Sequence, residues 1–151
     1  MIPIPEIPLP VTAKSDAKET PAAASQELFS RQVIERATRP THIGRMDRPD
    51  GCSAVCGWCG EVMEFYLRLH GTTIADVTFM ADGCISTMAC GDMLAEMAQG
   101  KPVQAAAAIT PQELQDALGG LPYANIHCSE LAVSALREAM DDARRSQDTD
   151  R

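Results

Sequence analysis

The sequence predicts an α+β domain in which a small antiparallel sheet is covered by several helices. Three observations carry this expectation. Residues 61–70 alternate apolar and polar side chains as a half-buried strand does. A second alternating run follows across a short turn. Beyond residue 84 the chain carries the period and the start and stop signals of helices, with no repeated strand–helix units.

The elements follow in order. Residues 1–24 mix Pro, Ala, Lys, Glu and Thr without a helical or strand period, so they read as a disordered tail ahead of a folded domain at 25–145. Ser25 is placed to cap a helix through Phe29, Val33, Ile34 and Ala37 that ends before Pro40. Residues 39–60 hold Gly, Pro, Asp and Cys and read as an irregular loop. Between Glu61 and His70, Met63, Phe65, Leu67 and Leu69 fall on one side and Glu64, Arg68 and His70 on the other. Gly71-Thr72-Thr73 turns the chain into a second strand over 74–81, which makes a hairpin.

Asp82-Gly83-Cys84 leads into a helix from about Ile85 to Gln99, with Gly100 as its stop. Residues 103–108 read as a short helix. Thr110-Pro111-Gln112-Glu113 combines an N-cap, a first-turn proline and a glutamate three residues on, and Gly119-Gly120 ends that helix. The last helix is expected to start near Cys128 or Ser129 and to bury Leu131, Ala132, Ala135, Leu136 and Ala139. The charged residues after Met140 read as its end, with 146–151 a frayed tail.

Aromatic residues make up only 4% of the chain, so aliphatic side chains, Met and Ala must build the core. A formal charge of -8 argues against nucleic-acid binding, which requires a basic face. No run of about 18 apolar residues could span a membrane, and the proline-punctuated N-terminus does not read as a secretory signal. The expected compartment is the cytoplasm, where thiols stay reduced. Six cysteines there point to metal or sulfur chemistry rather than disulfides.

Cys84 and Cys128 both sit where helices should begin. Free N–H groups and the positive end of the helix dipole favour thiolate, the form that binds metal. Cys59 lies in a glycine-bracketed loop just before the first strand. Three cysteines placed in this way can converge at one end of a small domain. His127 adjoins Cys128 and Glu61 follows Cys59 by two, so each is a candidate fourth ligand; His42 and His70 read as structural. Cys90, six residues after Cys84, reads as core.

A local alternative exists. Cys52, Cys56 and Cys59 have the C-x3-C-x2-C spacing that resembles the 4Fe–4S motif of radical S-adenosylmethionine enzymes. The barrel of those enzymes needs far more chain than follows Cys59, so the enzyme reading is rejected. The three thiols are retained as a candidate local site.

The order of motifs carries a wider resemblance. Thr41-His42-Ile43-Gly44, Pro49-Asp50-Gly51 and Cys59-Gly60-Glu61 are followed by Phe79, Gly83-Cys84-Ile85-Ser86 and Gly100-Lys101. Leu121-Pro122 and His127-Cys128-Ser129 come last, ahead of Leu131-Ala132 and Ala135-Leu136. From about Leu28 to Met140 the chain resembles the iron–sulfur cluster assembly scaffold family of the IscU type, equivalent to the N-terminal domain of NifU. The resemblance implies a third strand, for which 43–50 is the candidate. It implies Cys59, Cys84 and Cys128 as ligands, sulfur received from a cysteine desulfurase, and usually a 2Fe–2S cluster built with ferrous iron and passed to apo iron–sulfur proteins.

Departures from the family pattern are specific. Glu61 stands where the family usually has aspartate. Leu121-Pro122-Tyr123-Ala124-Asn125 replaces the Leu-Pro-Pro-Val-Lys that some members present to a dedicated Hsp70-type chaperone, which also removes an active-site lysine. The long insertion of a zinc-binding sulfur-acceptor branch is absent between Cys84 and Cys128. The expected role is a scaffold without turnover chemistry of its own. The alternatives are a zinc-dependent sulfur acceptor on the same residues, or a 4Fe–4S carrier using Cys52, Cys56 and Cys59. The oligomeric state is left open between monomer and homodimer.

Overall fold

Ser30 begins the first described helix, α1 (Arg31–Thr38). Its Oγ accepts the Val33 N–H at 3.1 Å, and the same hydroxyl donates to the Leu118 carbonyl far along the chain. The computed structural model describes residues 28–149; the tail at 1–24 and the Ser25 cap lie outside the described residues.

Three strands follow: β1 (Gly51–Cys56), β2 (Val62–His70) and β3 (Thr73–Asp82). They form one antiparallel sheet in the order β1-β2-β3. The β2–β3 hairpin is the one expected, with Met63, Phe65 and Leu67 buried and Arg68 and His70 exposed. The third strand is not at 43–50. In that segment Ile43 makes a single parallel bridge to Phe79, and the strand proper lies at Gly51–Cys56, inside what had read as loop. The sequence of β1, Gly-Cys-Ser-Ala-Val-Cys, is too small and too weakly apolar to announce a strand.

Its small residues have a packing reason. A Cβ at Gly51 would fall on the Ala139 carbonyl oxygen and come within 2.7 Å of the Ala143 nitrogen. The last helix therefore lies directly on β1. Ser53 Oγ donates to the Ala135 carbonyl at 2.7 Å, and the Cys52 N–H donates to Asp142 at 2.9 Å.

The helices after the sheet are α2 (Ile85–Ala98), α3 (Val103–Ala107), α4 (Pro111–Ala117) and α5 (Ile126–Thr149). Thr110 caps α4 by accepting the Glu113 N–H at 3.1 Å, as its sequence signals require. α5 starts two residues earlier than expected because a 3₁₀ turn at Tyr123–Asn125 runs straight into it. It also continues to Thr149, through residues expected to form a charged tail. Ala143 is buried there, and Arg144 and Arg145 pair with Asp141 and Asp142 one turn back.

The core lies between the sheet and α2, α4 and α5. Phe65 and Phe79 face each other across β2 and β3, with ring centroids 6.3 Å apart. Leu67, Ile74, Leu94, Leu114, Leu118 and Leu136 are fully or almost fully buried around them. Each such side chain stabilises the fold by about 1.5–3 kcal/mol relative to exposure. Cys90 is part of this core, with no exposed surface.

Asp92 fixes the approach to the sheet from the other side. Almost fully buried on α2, it accepts the N–H groups of Thr41 and His42 at 2.7 and 2.8 Å and pairs with Arg36 at 3.0 Å. That holds residues 42–44 along the outer edge of β3, where the Phe79 N–H donates to the His42 carbonyl and the Gly44 N–H to the Phe79 carbonyl. No helix among the described residues is long and apolar enough to cross a membrane.

Candidate metal centre

Five candidate residues arrive at one end of the domain from three segments. Cys59 and Glu61 come from the loop between β1 and β2, closed by a Gly57 N–H bond to the Glu61 carbonyl at 2.6 Å. Cys84 is the N-cap of α2. His127 and Cys128 are the second and third residues of α5.

Two groupings result. Ligand atoms of Cys59, Glu61 and His127 all lie within 4.8 Å of one another. Within this set, Glu61 Oε1 and His127 Nε2 are 2.7 Å apart. The sulfurs of Cys84 and Cys128 are 3.9 Å apart. His127 joins the groupings, since its Nε2 is 3.8 Å from the Cys128 sulfur.

Glu61 is the most telling residue. It is 8% exposed, and its Oε2 is buried without a hydrogen-bond partner. An unpaired buried carboxylate oxygen costs about 1–3 kcal/mol or more, a cost that a bound cation would remove. Burial pushes the Glu61 carboxyl up. Its own N–H, His127 and the Cys59 N–H outweigh that and hold it below the usual carboxylate range. The residue therefore presents an anion to the site. Sulfur, oxygen and nitrogen donors together suit ferrous iron or zinc.

The two helix-start cysteines differ. Burial pushes the Cys84 thiol up, but Thr87 and the backbone N–H groups of Thr87 and Ser86 more than compensate and leave it below the ordinary thiol value. This is the thiolate preference expected at a helix start. Cys128 does not share it. Because α5 begins earlier, Cys128 lies within the first turn and is fully buried. Burial, only partly offset by Thr87 and reinforced by the neighbouring Cys84 and Glu61, pushes its thiol up to about 12. Buried Cys90 is pushed up as well.

Cys52 and Cys56 stand apart from this constellation. Both lie on the outward face of β1, four positions apart, which is about 13 Å of strand. Cys52 and Cys56 are therefore strand residues rather than members of the irregular loop expected from the sequence, which counts against their closing with Cys59 on one cluster. Cys52 is pushed up by burial and by Asp142.

Three neighbours of the site escaped the sequence reading. Thr87 Oγ1 lies 3.4 Å from the Cys84 sulfur and 3.6 Å from the Cys128 sulfur. Asn125 Nδ2 donates to the Cys84 sulfur at 3.7 Å. The Trp58 ring meets the His127 ring edge-on, with centroids 5.5 Å apart. The spacing of Thr87, three residues after a helix-capping cysteine, is a signal that could have found it.

Known proteins place the chain. The sequence profile of the NifU-like N-terminal domain matches residues 28–150. The chain belongs to this family. Several of its relatives are named iron–sulfur cluster assembly scaffold protein IscU. IscU 1 of Archaeoglobus fulgidus is 36% identical over 116 residues, 76% of each chain. IscU of Aquifex aeolicus is 34% identical over 118 residues, 76% of this chain and 74% of that one. The crystal structure of the N-terminal part of a NifU-like protein from Brucella abortus superimposes with a TM-score of 0.63, covering 80% of this chain and 97% of that one. At 16% identity that match concerns the fold, and it agrees with the three-stranded α+β arrangement. The NifU-like family match spans all five site residues.

Proposed function

We propose that this chain is an iron–sulfur cluster assembly scaffold: it receives sulfur from a cysteine desulfurase together with ferrous iron, builds a 2Fe–2S cluster, and passes it to apo-proteins. The cluster is its cargo. The observation that carries the reading is the unpaired, buried Glu61 Oε2, with the Cys59 thiol and the His127 imidazole grouped around its carboxylate and the Cys128 sulfur 3.8 Å from that imidazole. Such a carboxylate oxygen is stable beside a cation. The scaffold names of relatives more than 30% identical support the same reading.

The donor set suits transient holding. Cys59, Cys84 and Cys128 supply the thiolates that iron–sulfur clusters prefer. Glu61 or His127 supplies the fourth, weaker position. These two already bond each other at 2.7 Å through Glu61 Oε1, which leaves Oε2 as the oxygen free to ligate. Cys59 and Cys84 are exposed and face incoming iron and sulfur, while Cys128 anchors the cluster from the interior. No residue is assigned turnover chemistry.

The test is anaerobic reconstitution of the full chain with ferrous iron and sulfide, followed by metal and acid-labile sulfide analysis. A coloured protein with equal iron and sulfide is expected. One specific observation favours a second reading: the mixed sulfur, oxygen and nitrogen grouping also fits tetrahedral zinc. A colourless protein that carries zinc and no labile sulfide would establish that sulfur-acceptor reading instead.

A further inference from the structure

Thr87 occupies an unusual place for a threonine. It lies in the first turn of α2 with no exposed surface, in a position where a threonine hydroxyl ordinarily bonds a carbonyl one turn back. Here both hydrogen-bond partners of the hydroxyl, among the described residues, are sulfurs: Cys84 at 3.4 Å and Cys128 at 3.6 Å. The three atoms form a near-equilateral triangle, closed by the 3.9 Å between the sulfurs.

The surroundings preserve that triangle. A Cβ at Gly83 would come within 2.7 Å of Thr87 Oγ1 and 3.0 Å of Glu61 Cγ. The absent side chain therefore leaves the hydroxyl its place and lets the loop carrying Glu61 close over it. A hydroxyl has one proton to donate and two lone pairs to accept with. Between a thiolate and a thiol it donates to the first and accepts from the second. Between two metal-bound thiolates, which offer no proton, it can only donate.

We infer that Thr87 is a positioning residue for the cargo: its hydroxyl holds the Cys84 and Cys128 sulfurs together and withdraws negative charge from them, which raises the reduction potential of the cluster they hold. This inference rests on the proposed reading of those two cysteines as cluster ligands. Hydrogen bonds to ligand sulfurs are among the determinants of cluster potential, because they stabilise the more negatively charged reduced state.

The experiment compares Thr87→Val, which keeps the shape and removes the hydroxyl, with Thr87→Ser, which keeps the hydroxyl and removes the methyl. In the metal-free full-length protein, alkylation of Cys84 by iodoacetamide at fixed pH is followed by mass spectrometry. In the reconstituted protein, the cluster potential is measured by redox titration. Thr87→Val should alkylate roughly fivefold more slowly, the equivalent of one net hydrogen bond, and should have a more negative potential. Thr87→Ser should match the wild type in both. If Thr87→Val does not fold, Thr87→Ala against Thr87→Ser makes the same comparison, since those two differ only in the hydroxyl. Wild-type protein that holds a cluster while Thr87→Val matches it in both measurements overturns the inference alone. So does a potential that follows side-chain volume rather than the hydroxyl. Wild-type protein that holds no cluster overturns the reading of the site, and the inference with it.

Discussion

Cys84 and Cys128 are carried by the first turns of two helices packed through the core, 3.9 Å apart with a buried hydroxyl between them. Cys59 and Glu61 are carried by a short glycine-containing loop between two strands, and their partner is a histidine they must share. The first half is set by the same burial that stabilises the domain. The second half rests on a few hydrogen bonds, the Glu61–His127 contact among them. The helix ends place a sulfur pair through core packing, and the loop adds a further thiol and a carboxylate beside it.

The strongest way to break this comparison is to remove one sulfur from each half. Cys128→Ser and Cys84→Ser should abolish retention of a reconstituted cluster on gel filtration, and Cys59→Ser should weaken it severely. Retention of a wild-type spectrum by Cys128→Ser would remove the helix half from the site.

Next in size is the support beneath the helix half. Asp92→Ala leaves Arg36 and two backbone N–H groups without their buried acceptor. A loss of about 3–5 kcal/mol in denaturant unfolding is expected. A loss below about 1 kcal/mol would mean that the 41–44 segment is held in some other way.

The thiols themselves sharpen the contrast. With native metal-free protein at neutral pH, iodoacetamide should modify Cys84 while Cys128 and Cys90 react only after unfolding, since burial pushes both of the latter up. Early labelling of Cys128 would show that the helix half opens readily.

A smaller effect is expected from Glu61→Gln in the metal-free protein. The folded carboxyl is held below its ordinary value, so the stabilisation it provides is present above the ordinary carboxylate range and lost as pH falls through the depressed folded value. The variant should melt below the wild type at neutral pH and converge with it in acid. A deficit independent of pH would mark the effect as steric. The smallest change is expected from Cys52→Ser and Cys56→Ser, whose sulfurs lie out along β1. Each should keep the wild-type cluster spectrum.

Some of this was legible in the sequence for clear physical reasons. The β2–β3 hairpin announces itself because Met63, Phe65 and Leu67 alternate with polar residues, and α4 because Thr110-Pro111-Glu113 states its own start. β1 was illegible in part because Gly51 and Ser53 are small where α5 lies on them, a contact known only once the fold is known. The early start of α5 was hidden by the Tyr123–Asn125 turn, and with it the burial of Cys128. Glu61 and His127 could be suspected from their cysteine neighbours. Their bond to each other, and the orphaned Oε2, required the structure. The i, i+3 spacing of Thr87 from Cys84 could have suggested the first of its contacts, but its second, to Cys128, required the fold.

The contact between Trp58 and His127 has a practical consequence. Trp58 is the one tryptophan in the chain, and it is 85% exposed. All indole emission therefore originates at the mouth of the site, from a ring lying edge-on to an imidazole that is itself a candidate ligand. On the proposed reading, a cluster held beside His127 would quench this indole, so emission from Trp58 would report occupancy of the site without a label.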